Sequence, residues 1–154
     1  MDRNGHVCVL CISYLIIKKQ SKKRMSLLEG KTALVTGASK GIGKSIAMKY
    51  AQEGANVAFT YLSSVERGQA LEAELTAFGV KAKGYRSDAS DFTAAENLIN
   101  DVVADFGALD IIVNNAGIAI SKSIETTSAD EWDLLHDIMV KGLFLTSKGG
   151  LEVL

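Results

Sequence analysis

Short apolar runs alternate with longer amphipathic segments along most of the chain. The predicted strands are residues 32–36, 56–61, 81–87 and 108–114. The predicted helices are residues 41–54, residues 65–79, a segment capped by Asp91, and residues 130–148. This β-α-β-α-β-α-β-α order with short connections predicts an α/β fold, a doubly wound parallel sheet with right-handed crossovers and helices on both faces.

All four predicted helices carry apolar residues at helical spacing, which in residues 41–54 are Ile42, Ile46, Ala47 and Tyr50. The segment after Asp91 has the clearest stripe, which consists of Phe92, Ala95, Leu98, Ile99, Val102, Val103 and Phe106. The segment 65–79 places Leu71, Leu75 and Phe78 on one face. The segment 130–148 spaces Trp132, Leu135, Met139 and Leu143 by three or four residues. We expect these faces to pack against the sheet.

Composition is that of an ordinary soluble globular protein. Apolar residues make up 47% and charged residues 23% of the 154 residues, which excludes disordered, collagen-like and strongly basic nucleic-acid-binding chains. Two cysteines cannot build a disulfide scaffold, so nothing indicates an oxidising compartment. We therefore expect a cytoplasmic protein with no nucleic-acid partner.

Residues 1–24 differ in composition from the rest. They carry six basic residues and one acidic residue, whereas residues 25–154 carry a net charge of −6. Their apolar run, residues 7–17, is too short to span a bilayer, and its basic cluster follows the run, where a secretory signal would have it first. We expect a non-family extension, disordered or produced by a start assigned too early, with Met25 as the natural start.

Two other interpretations of residues 1–24 stay open. The basic cluster could meet anionic lipid as a weak interfacial anchor, although we do not expect membrane contact. His6, Cys8 and Cys11 could suggest a metal, but one C-x-x-C pair with a single histidine is a poor zinc signature. No metal site is predicted.

A glycine-rich turn joins the first predicted strand to the helix that follows. Gly37 permits a sharp exit from the strand, Gly41 lets the backbone approach a diphosphate, and Gly43 lets the helix pack closely on the sheet. Unpaired N–H groups at the start of the helix would then face the phosphates. The alternative is a plain turn that needs glycine. The predicted phosphate-binding residues are Gly37, Ala38, Ser39, Lys40, Gly41, Ile42 and Gly43.

Three motifs, each at the end of a successive predicted strand, resemble those of the short-chain dehydrogenase/reductase family. TGASKGIG matches the family's T-G-x-x-x-G-x-G turn, Asp88-Ala89 its adenine-contacting position, and Asn114-Asn115-Ala116-Gly117 its N-N-A-G motif. The chain is most similar to the 3-oxoacyl-[acyl-carrier-protein] reductases. The resemblance covers about residues 28–147, the amino-terminal half of the family's fold, so residues 25–154 would form a partial NAD(P)-binding Rossmann domain.

The resemblance implies that all three motifs contact a nicotinamide dinucleotide. Asp88 would accept a hydrogen bond from adenine and Ala89 would offer its backbone, but Asp88 could also be a simple turn residue before Asp91. The resemblance implies a mixed site at Asn114, Asn115, Ala116 and Gly117: this turn would lie beside the coenzyme ribose, and an Asn in it would also tie neighbouring strands together.

The expected coenzyme is NADP(H). The second predicted strand ends in TYLSS, without the carboxylate that would bind an NAD ribose. Lys40 could meet a 2′-phosphate, and Ser63 and Ser64 could add hydrogen bonds. The alternative for Lys40 is a solvated surface lysine.

The family's catalytic Ser and Tyr-x-x-x-Lys lie beyond its fourth strand, at and after the fifth, and no tyrosine follows Tyr85 in this sequence. We assign no catalytic residue, and we interpret Tyr14 and Lys18, which spell Y-x-x-x-K, as a coincidence. Met139 stands where the family often has an asparagine that helps hold a proton-relay water. The expected sheet is truncated after its fourth strand and its helix, with strand order 3-2-1-4 and an exposed apolar edge that favours oligomers or marginal stability.

Three functions remain in competition. The first is an NADPH-dependent reductase by descent, acting on a small-molecule or carrier-bound 3-oxoacyl thioester, for which a partner would have to supply the catalytic residues. The second is a non-catalytic dinucleotide-binding module. The third is a truncated gene product without a function.

Overall fold

The computed structural model describes residues 26–154. The basic segment 1–24 lies outside the described residues, and with it the candidate metal ligands His6, Cys8 and Cys11, the candidate membrane anchor and the Tyr14–Lys18 pair. Within the described residues, none of the helices is long and apolar enough to cross a membrane.

Four parallel strands form one sheet. They are β1 (Thr32–Val35), β2 (Asn56–Tyr61), β3 (Ala82–Arg86) and β4 (Ile111–Val113). Their order across the sheet is β3-β2-β1-β4, and Val35 of β1 lies between Phe59 of β2 and Val113 of β4. The predicted fold class and strand order are confirmed. In the described part of the chain, β4 pairs with β1 alone and is an edge strand.

Helices follow each strand, and the last of them departs from the prediction. They are α1 (Gly41–Gln52), α2 (Val65–Thr76), α3 (Phe92–Phe106), α4 (Ala129–His136) and α5 (Gly142–Gly150). A π-helical segment, Asp137–Lys141, joins α4 to α5. The expectation of one regular helix over 130–148 was therefore wrong, because a wider turn is inserted in its middle.

Each face of the sheet buries its own apolar layer. On one face Val35, Val57 and Phe59 pack against α1 and against Leu71 and Leu75 of α2. On the other face Leu34 and Ala58 of the sheet pack against the apolar stripe of α3, with Leu98, Ile99 and Val102 buried. Helices on both faces are what the alternating pattern predicts, and the two layers hold the carboxyl ends of β1, β2 and β4 side by side.

The start of α3 follows the predicted signal, and a glycine ends it. The Asp91 carboxylate accepts hydrogen bonds from the N–H groups of Thr93 (2.8 Å) and Ala94 (3.2 Å). Gly107 ends the helix with φ of 84°, a left-handed conformation that favours glycine. The cap predicted at Asp91 is confirmed.

Two apolar faces are less buried than their spacing suggests. Phe78 is 44% exposed, because α2 ends at Thr76 and the chain turns away at Gly79, where φ is +83°. Trp132, Met139 and Leu143 are each about half exposed or more. Spacing alone overestimated the burial of both helices, since it does not show where a helix stops or what covers it.

Candidate functional site

A cleft of about 610 Å³ opens at the carboxyl ends of the strands. The loops that follow all four strands contribute to it, as expected where parallel strands end at one edge of a sheet. Twelve of the fourteen predicted coenzyme-contacting residues line this cleft: Gly37, Ser39, Lys40, Gly41, Ile42, Gly43, Ser63, Asp88, Ala89, Asn115, Ala116 and Gly117.

The other two predicted residues do not line the cleft. Ala38 is fully buried, and its N–H donates to the Thr60 carbonyl over 2.9 Å. Asn114 donates its side-chain amide to the Ser147 hydroxyl over 3.1 Å and borders a separate small cavity. Ala38 thus holds the glycine turn to the end of β2 from below the cleft. Asn114 connects the end of β4 to α5.

The glycine turn is shaped by close approaches that a side chain would prevent. Gly37 has φ of +66°, and a Cβ there would lie 2.8 Å from the Cα of Ala116. At Gly43 a Cβ would meet the side-chain amide of Asn115 and would lie 2.9 Å from the Cα of Ala38. Gly41 has φ of +59°, and a Cβ at this position would have no atom within 4 Å, so its backbone faces open space.

The start of α1 offers unused hydrogen-bond donors. Within residues 26–154, the N–H groups of Ser39, Lys40, Gly41, Ile42 and Gly43 have no acceptor in hydrogen-bonding geometry. Lys40 precedes the helix and its side chain does not cap it. A row of free N–H groups at a helix start, with the positive end of the helix dipole behind it, is suited to an anion such as a diphosphate.

One threonine hydroxyl fixes the loop after β4 to the loop after β1. Thr36 is 5% exposed; its Oγ1 accepts hydrogen bonds from the N–H groups of Asn115 (2.9 Å) and Ala116 (3.0 Å) and donates to the Val113 carbonyl. In return the Asn115 side-chain amide donates to the carbonyls of Thr36 (2.9 Å) and Gly37 (3.2 Å). The two loops therefore form one rigid floor.

A second threonine joins β2 to the glycine turn. The Thr60 hydroxyl accepts the N–H of Gly37 over 2.9 Å, and its carbonyl accepts the N–H of Ala38. Sequence reasoning missed Thr36 and Thr60 as site residues. The signal in the sequence was weak, because both are ordinary β-branched residues near the ends of strands, and only their neighbours were assigned to the turn.

Several other lining residues also escaped the sequence analysis. They are Tyr61, Leu62, Ser87, Ile118 and Ile138. Leu62, Ser87 and Ile118 adjoin predicted residues and Tyr61 ends β2, so the rule that strand ends converge would have found them. Ile138 comes from the π-helical segment, and nothing in its local sequence indicates that it reaches the cleft.

Asp88 lies in the cleft and also forms a turn. Its Oδ1 accepts hydrogen bonds from the N–H of Ser90 (2.9 Å) and from the Ser90 hydroxyl (2.7 Å). The Oδ2 atom makes no hydrogen bond within the described chain. The structure thus shows the turn role, and it leaves one carboxylate oxygen free to meet a ligand.

Tyr85, whose pKa is raised, lies away from the cleft. Tyr85 donates its hydroxyl to Asp105 over 2.6 Å, and Lys83 donates to the same oxygen over 2.6 Å. Burial, followed by the hydrogen bond and the charge of Asp105, raises the pKa of Tyr85 well above its usual value. Tyr85 is therefore held as a neutral donor to α3 and does not face the cleft.

Met139 borders the small cavity next to the cleft. Its side chain lies close to Gly117, where a Cβ would be 3.8 Å from the Met139 Cγ. Thr36, Asn114 and Thr146 supply polar groups to the same cavity, whose volume is about 30 Å³. A thioether is a poor hydrogen-bond partner, so this position cannot hold a water as an amide would.

The chain matches a family model over most of its length. The model described as short chain dehydrogenase matches residues 31–154. The 3-oxoacyl-[acyl-carrier-protein] reductase FabG of Staphylococcus aureus (strain Mu50) is 43% identical over 114 residues, which are 74% of this chain and 46% of that protein. The 2-dehydro-3-deoxy-D-gluconate 5-dehydrogenase of Pseudoalteromonas atlantica is 40% identical over 121 residues, 79% of this chain and 48% of that protein.

Solved structures share the fold at similar identity. A short chain dehydrogenase from Burkholderia cenocepacia J2315 in complex with NADP is 41% identical with a TM-score of 0.81, over 82% of this chain and 52% of that one. A dehydrogenase/reductase from Sinorhizobium meliloti 1021 is 39% identical with a TM-score of 0.82, over 84% of this chain and 52% of that one. The chain spans about half the length of the proteins it matches.

Proposed function

The chain belongs to the short-chain dehydrogenase family, and on that premise we propose that its cleft binds NADP(H). The observation that carries this proposal is the row of five unpaired N–H groups from Ser39 to Gly43. Gly37 and Gly43 let the turn pack closely on Ala116 and Asn115, and Gly41, where a Cβ would meet no atom within 4 Å, leaves its backbone open to a diphosphate. The unpaired N–H groups and the open backbone at Gly41 thus fit the diphosphate of a dinucleotide.

The phosphorylated coenzyme is preferred over NAD(H) on the charges of the cleft. Asp88 is the one carboxylate among the described residues that line it, and its Oδ1 is already engaged by Ser90. The loop after β2 offers the hydroxyls of Ser63 and Ser64, whereas an NAD-type site would have an acid there. Lys40 stands in the glycine turn and makes no ion pair within residues 26–154, so its charge is free to meet a 2′-phosphate.

The activity we propose for the lineage is reduction of a 3-oxoacyl thioester, a small-molecule or carrier-bound substrate, in the cytoplasm. Similarity to a 3-oxoacyl-[acyl-carrier-protein] reductase supports this assignment. The coenzyme, when bound, supplies a hydride. The residues that line the cleft bind and orient it; the last tyrosine of residues 1–154 is Tyr85, which donates to Asp105. We therefore expect residues 1–154 alone to bind coenzyme without turnover.

A non-catalytic dinucleotide-binding module is the alternative favoured by the same observations, since Met139 replaces the amide expected beside the cleft. A gene product without function is the remaining alternative. A gene product without function would be indicated by loss of the cleft; loss of turnover alone would not indicate it.

Titration of residues 1–154 with NADPH tests the proposal directly. We expect the coenzyme fluorescence to change and saturate, because ordered donors replace water around the dinucleotide. Absence of a saturable signal, at protein concentrations where circular dichroism shows a folded chain, would remove both the reductase and the binding module.

A second measurement separates these two functions. NADPH oxidation is followed with an acetoacetyl thioester as the substrate. We expect no turnover above the protein-free control from residues 1–154 alone. Turnover above that control would show that the chain is itself a reductase and would overturn the binding-only assignment.

A further inference from the structure

A guanidinium group lies beside the cleft without belonging to the glycine turn. Arg86 is the last residue of β3, and its Nε donates to the main-chain oxygen of Leu62 over 3.1 Å. Leu62 lines the cleft and leads directly into Ser63 and Ser64, which line it as well. The side chain of Arg86 thus reaches from the end of β3 to the loop that follows β2.

The rest of the Arg86 guanidinium is uncommitted. One of its five N–H donors is used at Leu62, and within residues 26–154 the others form no hydrogen bond. All six ion pairs in that part of the chain use lysines other than Lys40. Neither Arg86 nor Lys40 therefore has a carboxylate within 4 Å among the described residues.

Strand order places these two cations on opposite sides of one loop. In the sequence β3-β2-β1 across the sheet, β2 lies in the middle. Arg86 ends β3, Lys40 belongs to the loop after β1, and the Ser63–Ser64 loop follows β2 between them. The residues that carry these two charges therefore lie on either side of the loop that carries Ser63 and Ser64.

We propose that Arg86 acts with Lys40 as a specificity-determining residue that binds the 2′-phosphate of the adenine ribose and so selects NADP(H) over NAD(H). This inference rests on the proposed function. A guanidinium offers a planar pair of donors that matches a phosphomonoester, and the anchored Nε leaves less side-chain freedom to lose on binding. NAD(H) has a hydroxyl in place of that phosphate and gains nothing from the second cation.

The experiment compares Arg86→Gln with Lys148→Gln, a lysine on α5 outside the cleft, so that both variants lose one positive charge. Dissociation constants are measured for NADPH and NADH, and for 2′,5′-ADP and 5′-AMP as probes that lack the nicotinamide. We expect Arg86→Gln to weaken NADPH and 2′,5′-ADP about tenfold, the scale of one charge-assisted contact, while NADH and 5′-AMP change less than about twofold. Lys148→Gln should change none of the four.

Arg86→Lys separates charge from loop support. Lysine keeps the positive charge but lacks the planar pair of guanidinium donors, so we expect an intermediate preference for NADPH. Equal weakening of NADPH and NADH in Arg86→Gln would show that Arg86 only supports the loop, and unchanged dissociation constants for both would show that it has no role; either result overturns the inference while the dinucleotide site stands. If the unaltered chain binds none of the four probes, the proposed function fails and this inference fails with it.

Discussion

Single hydroxyl and amide groups decide the shape of the cleft floor. The Thr36 hydroxyl accepts two N–H groups from the loop after β4 and donates to β4 itself, so all its hydrogen-bonding capacity is used. The Asn115 side-chain amide donates two hydrogen bonds to the loop after β1. Because these hydrogen bonds are part-buried, each lost partner would leave a partly shielded polar group unpaired.

Replacing Thr36 by valine should therefore destabilise the chain more than its small change of shape suggests. Two part-buried N–H groups, those of Asn115 and Ala116, would lose their acceptor, at a cost of about 1 kcal/mol each, the low end of the range for an unpaired polar group. We expect a lower unfolding midpoint in urea and weaker NADPH binding. Thr36→Ser keeps the hydroxyl and is the matched control; equal loss in both variants would contradict the role of the hydrogen bonds.

At this scale the sequence predicted the residues whose type is unusual and missed those whose partners are decisive. Gly37, Gly41 and Gly43 stand out because glycine in a strand-to-helix turn has a conformational reason. Thr36 and Thr60 carry no such mark, since a threonine near a strand end is common and its role depends on which N–H lies opposite. That pairing is set by the register of β1 with β2 and β4, which a local pattern does not contain.

Among the elements, the start of α3 was predicted by a local signal, whereas the irregularity inside the last predicted helix was not. Asp91 and Gly107 bound α3 by their own chemistry. The π-helical segment Asp137–Lys141 has no comparable signal; after it comes Gly142, where a Cβ would lie 2.5 Å from the carbonyl oxygen of Ala89. The wider turn places Ile138 in the cleft and Met139 beside Gly117, so a contact between distant segments accompanies the irregularity.

The cap of α3 gives a prediction for this scale. Asp91→Ala removes the acceptor for Thr93 and Ala94, and we expect it to lower the free energy of unfolding by about 1 kcal/mol. Asp91→Asn retains an oxygen at the same place and should lose little. Chemical denaturation of both variants checks this, and an equal loss for alanine and asparagine would argue against a capping role.

For the whole molecule, the pairing of carboxylates with lysines makes the free energy of unfolding depend on pH in the acid range. Hydrogen bonds from Lys83 and Tyr85 lower the pKa of Asp105. Those from Lys31 and the Thr32 N–H lower the pKa of Asp110. Those from Lys122 and the Ser128 N–H lower the pKa of Glu131. The folded pKa of each group lies below its unfolded value. Their stabilising contribution is therefore complete above the unfolded pKa and disappears as the pH falls through the folded pKa.

We expect the urea midpoint to be level near neutral pH and to fall below about pH 4, the range of unfolded carboxyl groups. Asp110→Asn should make that fall shallower, because one of the three linked groups no longer titrates. Urea titrations of both proteins at several pH values provide the test. A midpoint that rises on acidification would contradict the assignment.

The open edge of the sheet bears on association. β4 has a single neighbour in the described chain, and Ile42, on the helix that follows β1, is 75% exposed. Such an edge favours pairing between chains. We expect residues 1–154 to melt at low temperature as a monomer or to remain soluble as an oligomer, which sedimentation and circular dichroism would show; a monomer with a cooperative, high-temperature transition would contradict this.

The interlocked Thr36 and Asn115 also have a kinetic consequence. Since these hydrogen bonds already hold the cleft floor in place, coenzyme binding requires no prior ordering of a loop. Stopped-flow mixing should then show an observed rate that climbs in proportion to the NADPH concentration, with no plateau set by an internal rearrangement.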